Sequence, residues 1–269
     1  MRVLLGTTRI GVIVVFLIVC TPFFLLASLI PIRFGITGIS GWMSVYMARF
    51  FNWLFNVKVT CDNPQDFYQH RGFLAPNHCS YLDVVVLLDI LPVRFLAAIE
   101  VKRRPVIGWM AAAADTVFVD RTDTESRRNA VNSIADTFHE DPDPPIVIFP
   151  EGRLGLGETL FPFKLGVFKL AQSYSIAYMP VAIDYREPEI VVWKGGLGES
   201  MTEAVWRLAR YPGPIHVNIA GLPPVLPGPD DQPIDLASRA QYDIETALGL
   251  PHLAEMEREV EAEAKAGTA

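Results

Sequence analysis

The stretch GFLAPNHCSYLDVVVLLDIL, residues 72–91, decides the fold class. Its first five residues, Gly72–Pro76, are mostly apolar and predict a short buried strand. A polar turn follows, and the apolar run Leu82–Leu91 has a length that favours a helix. A strand, a turn and a helix form the repeating unit of α/β sheets, whose ligands usually collect beyond the strand ends.

The rest of the chain continues this alternation. From Gly72 onward we predict an α/β domain with a mixed, largely parallel sheet flanked by helices. The predicted strands are Gly72–Pro76, Arg94–Ile99, Thr116–Val119, Ile146–Phe149, Ala177–Tyr185, Ile190–Trp193 and Ile215–Ala220. The predicted helices are Leu82–Leu91, Val106–Ala114, Glu125–Phe138, Lys164–Tyr174, Met201–Tyr211 and Leu236–Leu248.

The composition argues against two classes of protein. Of the 269 residues, 51% are hydrophobic, and the formal net charge is −7. Nucleic-acid-binding proteins usually present a strongly basic face, so no nucleic-acid partner is expected. The three cysteines, Cys20, Cys61 and Cys79, are odd in number and lack zinc-site spacing. They argue against a disulfide framework and are typical of a reducing compartment.

The N-terminal region predicts membrane attachment. The run Ile10–Ile32 has no charged residue, and as a helix it would be about 34 Å long, enough to cross a hydrocarbon core of about 30 Å. A signal peptide has a shorter apolar region and a small-residue cleavage site, neither of which is evident. A buried helix of a soluble protein is less favoured still, because apolar residues cover every face of this one. We therefore favour a membrane helix.

A second apolar stretch, Gly41–Val57, contains six aromatic residues. Such a density of aromatic side chains suits a helix at the lipid–water interface. Two arrangements fit: a single membrane span, or a re-entrant hairpin of the two helices. Basic residues on both sides of the first run leave the orientation open. The hairpin is favoured, and the domain that follows is expected to face the cytoplasm.

His78 and Asp83 pose the main chemical question. In a continuous helix, residues five apart point about 140° away from each other, so the two side chains would not meet. However, Ser80 and Asp83 match the pattern of a helix N-terminus. His78 would then lie in the preceding turn and could fold back onto an ionised Asp83. Such a pair can orient a histidine as a base, whereas the alternative is a polar cap on a core helix.

The sequence offers no convincing protein nucleophile. Cys79 is adjacent to the histidine, where backbone geometry makes proton transfer awkward, and Ser80 is expected to cap the helix. The G-x-S-x-G motif of serine hydrolases does not occur. If His78 is a base, the nucleophile would have to be a hydroxyl of the substrate.

Further charged residues follow two other predicted strands. Asp120 and Arg121 come after one of them, and Glu151-Gly152-Arg153 comes after another. Arginines at neighbouring strand ends could bind a phosphate through paired hydrogen bonds. Each of them alone is more often part of a surface ion pair.

Taken in order, these motifs resemble the glycerophospholipid acyltransferases, the 1-acylglycerol-3-phosphate acyltransferases and their relatives. The motif NHCSYLD resembles the first family block, N-H-x-S-x-x-D. Three further motifs of this chain, FVDR, FPEGR and MPV, begin at Phe118, Phe149 and Met179. They resemble the second, third and fourth family blocks. The resemblance covers about Gly72 to Leu250. It implies an acyltransferase domain in residues 59–252, between membrane-anchoring helices in 1–58 and a charged tail in 253–269.

The resemblance also implies a mechanism. His78, oriented by Asp83, would take the proton of a lysophospholipid hydroxyl as that oxygen attacks the thioester of acyl-CoA or acyl-carrier protein. No metal or other cofactor is implied. The residues expected to bind the acceptor are Arg121, Glu151, Gly152, Arg153 and Lys164.

One departure from the family pattern concerns the acceptor. The third block commonly reads Glu-Gly-Thr-Arg-Ser, whereas this chain reads Glu151-Gly152-Arg153-Leu154-Gly155. The leading expectation is acylation of the sn-2 hydroxyl of 1-acylglycerol-3-phosphate, which gives phosphatidic acid. The alternatives are a lysolipid with another headgroup, either lysophosphatidylcholine-like or aminoacyl, and a non-catalytic lipid-binding protein on the same scaffold.

Overall fold

The computed structural model describes residues 1–120 and 123–253. Its strands are β1 Arg33–Phe34, β2 Thr37–Gly38, β3 Val57–Cys61, β4 Gly72–Pro76, β5 Arg94–Ala98, β6 Val117–Val119, β7 Ile146–Val147, β8 Ala177–Tyr185 and β9 Ile215–Gly221. Its α-helices are α1 Arg2–Ser28, α2 Ile39–Phe55, α3 Pro64–Gln69, α4 Leu82–Ile90, α5 Ile99–Lys102, α6 Ile107–Ala113, α7 Thr124–Glu140, α8 Gly166–Tyr174, α9 Pro188–Val191, α10 Met201–Arg210 and α11 Pro233–Leu248.

The described residues form a seven-stranded sheet with the order β3-β9-β8-β4-β7-β5-β6. All neighbouring strands run parallel except β8 and β9. The mixed, largely parallel sheet predicted from the sequence is therefore confirmed. One apolar core lies on each face of this sheet, which is the burial expected when helices cover both sides. The carboxyl ends of β4, β7 and β8 lie at the same edge, where the predicted site residues follow.

Two predictions about individual elements were wrong. Ile190–Trp193 is not a strand, because Pro188–Val191 forms the short helix α9, with the fixed φ of Pro188 suiting its first turn. The sheet also begins before Gly72. Val57–Cys61 pairs in parallel with β9, a partner more than 150 residues away that the local pattern does not reveal.

The two N-terminal helices fold back on each other. A short hairpin of β1 and β2 joins them, and the rings of Phe16 and Phe50 stack with centroids 4.1 Å apart. Helix α1 is long and apolar enough to cross a membrane, and much of its apolar surface is exposed, including Val15, Val19 and Phe23. The two helices therefore pair with each other, whereas the choice between a single membrane span and a re-entrant hairpin stays a prediction.

Helix α1 is also attached to the sheet domain. The buried Arg9 donates through Nη1 to the carbonyl oxygen of Tyr211 at 2.6 Å and to that of Ala209 at 3.3 Å. These carbonyls lie at the C-terminal end of α10, where a cation is favoured. Further along α1, the Thr21 hydroxyl lies 3.5 Å from the sulfur of Met110 in α6. The helix therefore lies along the flank of the sheet domain.

Gly72 allows β4 to approach its neighbour closely. Its φ is +152°, and a Cβ placed there would lie 2.0 Å from the carbonyl oxygen of Ala177 on β8. Both the backbone conformation and the space therefore require glycine. Because β4 leads directly into Asn77 and His78, this contact helps to place the site.

We expect Gly72→Ala to destabilise the fold by at least about 2 kcal/mol, because either the backbone or the neighbouring strand must shift. Thermal unfolding of the protein in mild detergent measures the effect. Gly166→Ala is the matched control, since a Cβ on Gly166 would meet nothing within 4 Å. Equal melting temperatures for the two variants would contradict the prediction.

Candidate active site

The carboxylate of Asp83 organises the turn between β4 and α4. Its Oδ2 accepts hydrogen bonds from Nδ1 of His78 at 2.8 Å and from the backbone N–H groups of Cys79 and Ser80, both at 2.9 Å. Its Oδ1 accepts from the Tyr185 hydroxyl at 2.7 Å. The sequence prediction that His78 folds back onto Asp83 from the preceding turn is confirmed.

Although the cap residue is Tyr81, one position after the predicted one, Ser80 supports this helix start. Its backbone N–H binds the Asp83 carboxylate, and its hydroxyl accepts from the N–H of Leu82 at 3.1 Å. The same hydroxyl donates to the carbonyl oxygen of Val191 at 2.8 Å. The Ser80 hydroxyl is therefore occupied by backbone groups on both sides and is buried.

His78 is accessible, whereas its partner is not. The side chain of His78 is 18% exposed, compared with 0% for Asp83. The imidazole ring stacks on the ring of Phe149, with centroids 3.9 Å apart. Because Nδ1 is held by Asp83, the other ring nitrogen is free to exchange a proton with a ligand. This is the geometry of an oriented base.

Cys79 is unsuited to act as a nucleophile. Its side chain is 7% exposed. Burial raises the pKa of the thiol well above its usual range, and the nearby charges of Asp83 and Glu151 raise it further. The reactive form of cysteine is the thiolate, and this environment disfavours it.

Glu151 is a second buried carboxylate beside His78. Its Oε1 accepts from the backbone N–H of His78 at 2.7 Å, and its Oε2 accepts from the backbone N–H of Phe161 at 2.9 Å. Burial raises its pKa to about 7, although both of these hydrogen bonds lower it. Glu151 therefore joins the His78 turn to the loop at residues 155–164.

The other predicted binding residues lie on or beside this loop. The guanidinium of Arg153 lies 3.5 Å from the centroid of the Phe161 ring, and Lys164 covers Gly152. A Cβ on Gly152, whose φ is +66°, would lie 2.7 Å from Nζ of Lys164. Arg153 and Lys164 are both exposed. Arg121 lies outside the described residues, so its predicted role stays a prediction.

His78 opens onto a cavity at the carboxyl edge of the sheet. Its walls include Asn77, Glu151, Asp184, Leu248 and Leu250. Among the described residues that line it, none is lysine or arginine. Arg153 and Lys164 thus lie near the loop but outside the cavity wall. The charged groups within the wall are acidic, apart from the imidazole itself.

Sequence reasoning missed three residues that support this site. The buried Tyr185 reaches Asp83 across 102 positions of the chain. Gln241 accepts from the backbone N–H of Phe163 at 3.1 Å and donates to the buried Glu245 at 2.7 Å, which fastens the loop to α11. No local pattern points to Tyr185 or Gln241, because their partners in the site, Asp83 and Phe163, lie in distant elements.

The chain is similar in sequence to several known acyltransferases. The family model described as acyltransferase matches residues 58–184. A lyso-ornithine lipid O-acyltransferase of Pseudomonas aeruginosa is 30% identical over 198 residues, which is 72% of each chain. A 1-acyl-sn-glycerol-3-phosphate acyltransferase of Neisseria meningitidis is 31% identical over 112 residues, which is 42% of this chain and 43% of that protein.

A solved structure shows the same fold. It is the 1-acyl-sn-glycerophosphate acyltransferase of Thermotoga maritima, which superposes with a TM-score of 0.70. The match covers 92% of this chain and 96% of that one, at 17% sequence identity. At this sequence identity, the similarity shows a common arrangement of helices and strands, and it does not identify the substrate of this chain.

The raised pKa of Glu151 predicts a pH-dependent stability. The unfolded carboxyl titrates near 4.5 and the folded one near 7, so the folded state holds the proton over a range in which the unfolded chain has lost it. From about pH 5 to about pH 8, the wild type should therefore lose stability relative to Glu151→Gln, by as much as about 3 kcal/mol. Thermal or denaturant unfolding in mild detergent across this range measures the difference.

Glu158→Gln is the matched control for this experiment. It makes the same change of charge on an exposed side chain of the neighbouring loop. The difference between the wild type and this control should stay nearly constant with pH. A constant difference between the wild type and Glu151→Gln would show instead that Glu151 is ionised throughout the range.

Proposed function

The chain belongs to the acyltransferase family and is an enzyme that acylates lysolipids, and from this premise we propose that its acceptor is an ornithine lysolipid. The observation that carries this choice is the extent of the similarity. The lyso-ornithine lipid acyltransferase matches over 72% of the chain, whereas the 1-acyl-sn-glycerol-3-phosphate acyltransferase matches over 42% at nearly the same identity. The aminoacyl alternative drawn from the sequence is therefore better supported than the leading expectation of a phosphate-bearing acceptor.

The proposed acceptor has a simple chemistry. Ornithine has no hydroxyl group, so the oxygen that is acylated must belong to the acyl chain already attached to it. With one amine acylated, the headgroup keeps one free amine and one carboxylate. Such a headgroup has one positive charge, on the amine, and one negative charge, on the carboxylate. The phosphate headgroup of 1-acylglycerol-3-phosphate has negative charges alone.

In the proposed reaction, His78 acts as the base. Its free ring nitrogen takes the proton of the acceptor hydroxyl as that oxygen attacks the thioester carbonyl of acyl-CoA or acyl-carrier protein. A tetrahedral intermediate forms, the carbon–sulfur bond breaks, and the imidazolium returns the proton to the leaving sulfur. The products are an ester and a free thiol. General base catalysis of this kind typically contributes about 10²- to 10⁴-fold in rate.

Asp83 and Tyr185 are proposed as positioning residues. The hydrogen bond from Nδ1 of His78 to Asp83, 2.8 Å long, fixes the tautomer that leaves the other nitrogen unprotonated. The ionised carboxylate also stabilises the imidazolium that forms during the reaction. Tyr185 holds the second oxygen of Asp83, so the carboxylate cannot rotate away from the ring.

We assign the acceptor carboxylate to the exposed cations of the loop. Arg153 is held against the ring of Phe161, and guanidinium groups bind carboxylates through two parallel hydrogen bonds. Lys164 adds a second positive charge, and Gly152 leaves the space that its ammonium occupies. Glu151 is proposed to hold this loop at a fixed distance from His78 through its two backbone hydrogen bonds.

The apolar helix α1 supports an anchoring role. It is long enough to enter a bilayer, and it lies along the sheet domain through Arg9. Lysolipids partition into membranes, so an enzyme held at the surface can meet its acceptor by lateral diffusion. Which side of the membrane the domain faces stays a prediction.

The first functional prediction concerns the base. We expect His78→Ala to reduce acyl transfer by at least about 10²-fold while the protein stays folded, and Asp83→Asn to lose most of the activity because the histidine is no longer oriented. Release of free thiol from the acyl donor measures turnover. Cys79→Ala is the matched control, and it should stay within a few-fold of the wild type. An inactive Cys79→Ala together with a trapped acyl-cysteine would contradict direct transfer.

The second functional prediction concerns the acceptor. The purified full chain in detergent should acylate an ornithine lysolipid with a higher kcat/KM than 1-acylglycerol-3-phosphate or lysophosphatidylcholine. Each acceptor is tested with acyl-CoA and with acyl-carrier protein, and the ester product is measured by mass spectrometry. A higher kcat/KM for 1-acylglycerol-3-phosphate with both donors would contradict this prediction and support the phosphate-bearing acceptor instead.

A further inference from the structure

Asp184 is the charged residue of the His78 cavity to which the proposed chemistry gives no role. It lies near the end of β8, between the buried residues Ile183 and Tyr185. Asp184 is itself exposed, and it lines the cavity together with His78. Within the described part of the chain, the side chain of Asp184 makes no hydrogen bond or ion pair. Its charge nevertheless acts on the site, since it contributes to the raised pKa of Cys79.

The other carboxylates of the site are already occupied. The two oxygens of Asp83 accept from four donors, and each oxygen of Glu151 accepts from one backbone N–H group. Asp184 is therefore the carboxylate that remains to contact a ligand. Since no lysine or arginine is present among the described wall residues, nothing in the wall balances its charge. Such a cavity attracts cations and repels anions.

From this geometry we infer that Asp184 binds the free ammonium group of the acceptor and selects aminoacyl lysolipids against phosphate-bearing ones. The inference rests on the proposed function, which places the acceptor hydroxyl at His78. With the hydroxyl near the amide, the ammonium of an extended ornithine headgroup lies about 10 Å away. His78 and Asp184 line the same cavity, so one acceptor can contact both. The headgroup carboxylate then points toward Arg153, which lies beside the loop at residues 155–164.

The separation of charge explains why one headgroup would be preferred. An ornithine headgroup places its ammonium at Asp184 and its carboxylate near the cations outside the wall. A phosphate monoester has no cation for Asp184, and its negative charges lie close to that unbalanced carboxylate. Discrimination therefore comes from repulsion of the wrong acceptor as well as attraction of the right one.

The test uses two acceptors that differ in the ammonium group alone. Ornithine acylated on its α-amine is compared with norvaline acylated by the same hydroxy fatty acid, since norvaline has the same side-chain length without the amine. The measured quantity is the ratio of kcat/KM for the two acceptors. We expect Asp184→Asn to lower the preference for the ornithine acceptor by roughly 5- to 10-fold. Asp184→Lys should lower it further, because the charge is reversed.

Asp230→Asn is the matched control variant. It removes the same charge from an exposed aspartate outside the wall of the His78 cavity. Its ratio for the two acceptors should equal that of the wild type. If Asp230→Asn and Asp184→Asn lowered the preference equally, the effect would come from net charge and the inference would be overturned.

Equilibrium binding of both acceptors, measured by calorimetry without any donor, separates this inference from the proposed function. If the wild type transfers to the ornithine acceptor but Asp184→Asn keeps the full preference, the inference fails and the proposed function stands. If no transfer to ornithine lysolipid is detected but binding of the ornithine acceptor depends on Asp184, the proposed acceptor fails and the ammonium site stands. Binding that is equal for both acceptors and both proteins overturns the inference regardless of turnover.

Discussion

The burial of the Asp83 carboxylate is the constraint on which the site depends. An ionised carboxylate with 0% exposure would be very unfavourable without partners. Four donors compensate it: the His78 imidazole, two backbone N–H groups of the turn, and the hydroxyl of Tyr185. These donors come from the turn after β4 and from the end of β8. The hydrogen bonds that the buried Asp83 carboxylate needs therefore hold the conformation of the turn, the start of α4, and the position of β8 relative to β4.

Glu151, which follows the neighbouring strand β7, is a second buried carboxyl group whose hydrogen bonds hold the backbone of the site. Its carboxylate joins the backbone of His78 to that of Phe161, so the base is connected to the loop expected to bind the acceptor. The loop is fastened a second time through Gln241, which is hydrogen-bonded to the buried Glu245 of α11. A site built in this way is preorganised: its backbone is held by buried polar groups before any ligand arrives.

Charge also divides the site into two parts. Asp184 gives the cavity wall an acidic character, whereas Arg153 and Lys164 lie outside this wall, beside and on the loop. An acceptor with one positive and one negative group can satisfy both parts, and a purely anionic headgroup can satisfy one of them. The fold alone does not choose the acceptor, since a protein with the same fold and 17% identity is named for a glycerophosphate. The proposed basis of that choice is a few side chains at the edge of the sheet.

Features that depend on neighbouring residues could be predicted from the amino-acid sequence. Strand–helix alternation predicted the sheet, the uncharged run predicted α1, and the helix-start pattern of Ser80 and Asp83 predicted that His78 would meet its carboxylate. Contacts between distant residues were decided by tertiary structure alone. The pairing of Val57–Cys61 with β9 and the hydrogen bond of Tyr185 to Asp83 join positions more than 100 residues apart. Local periodicity cannot encode such partners, because they meet only when the strands pack side by side.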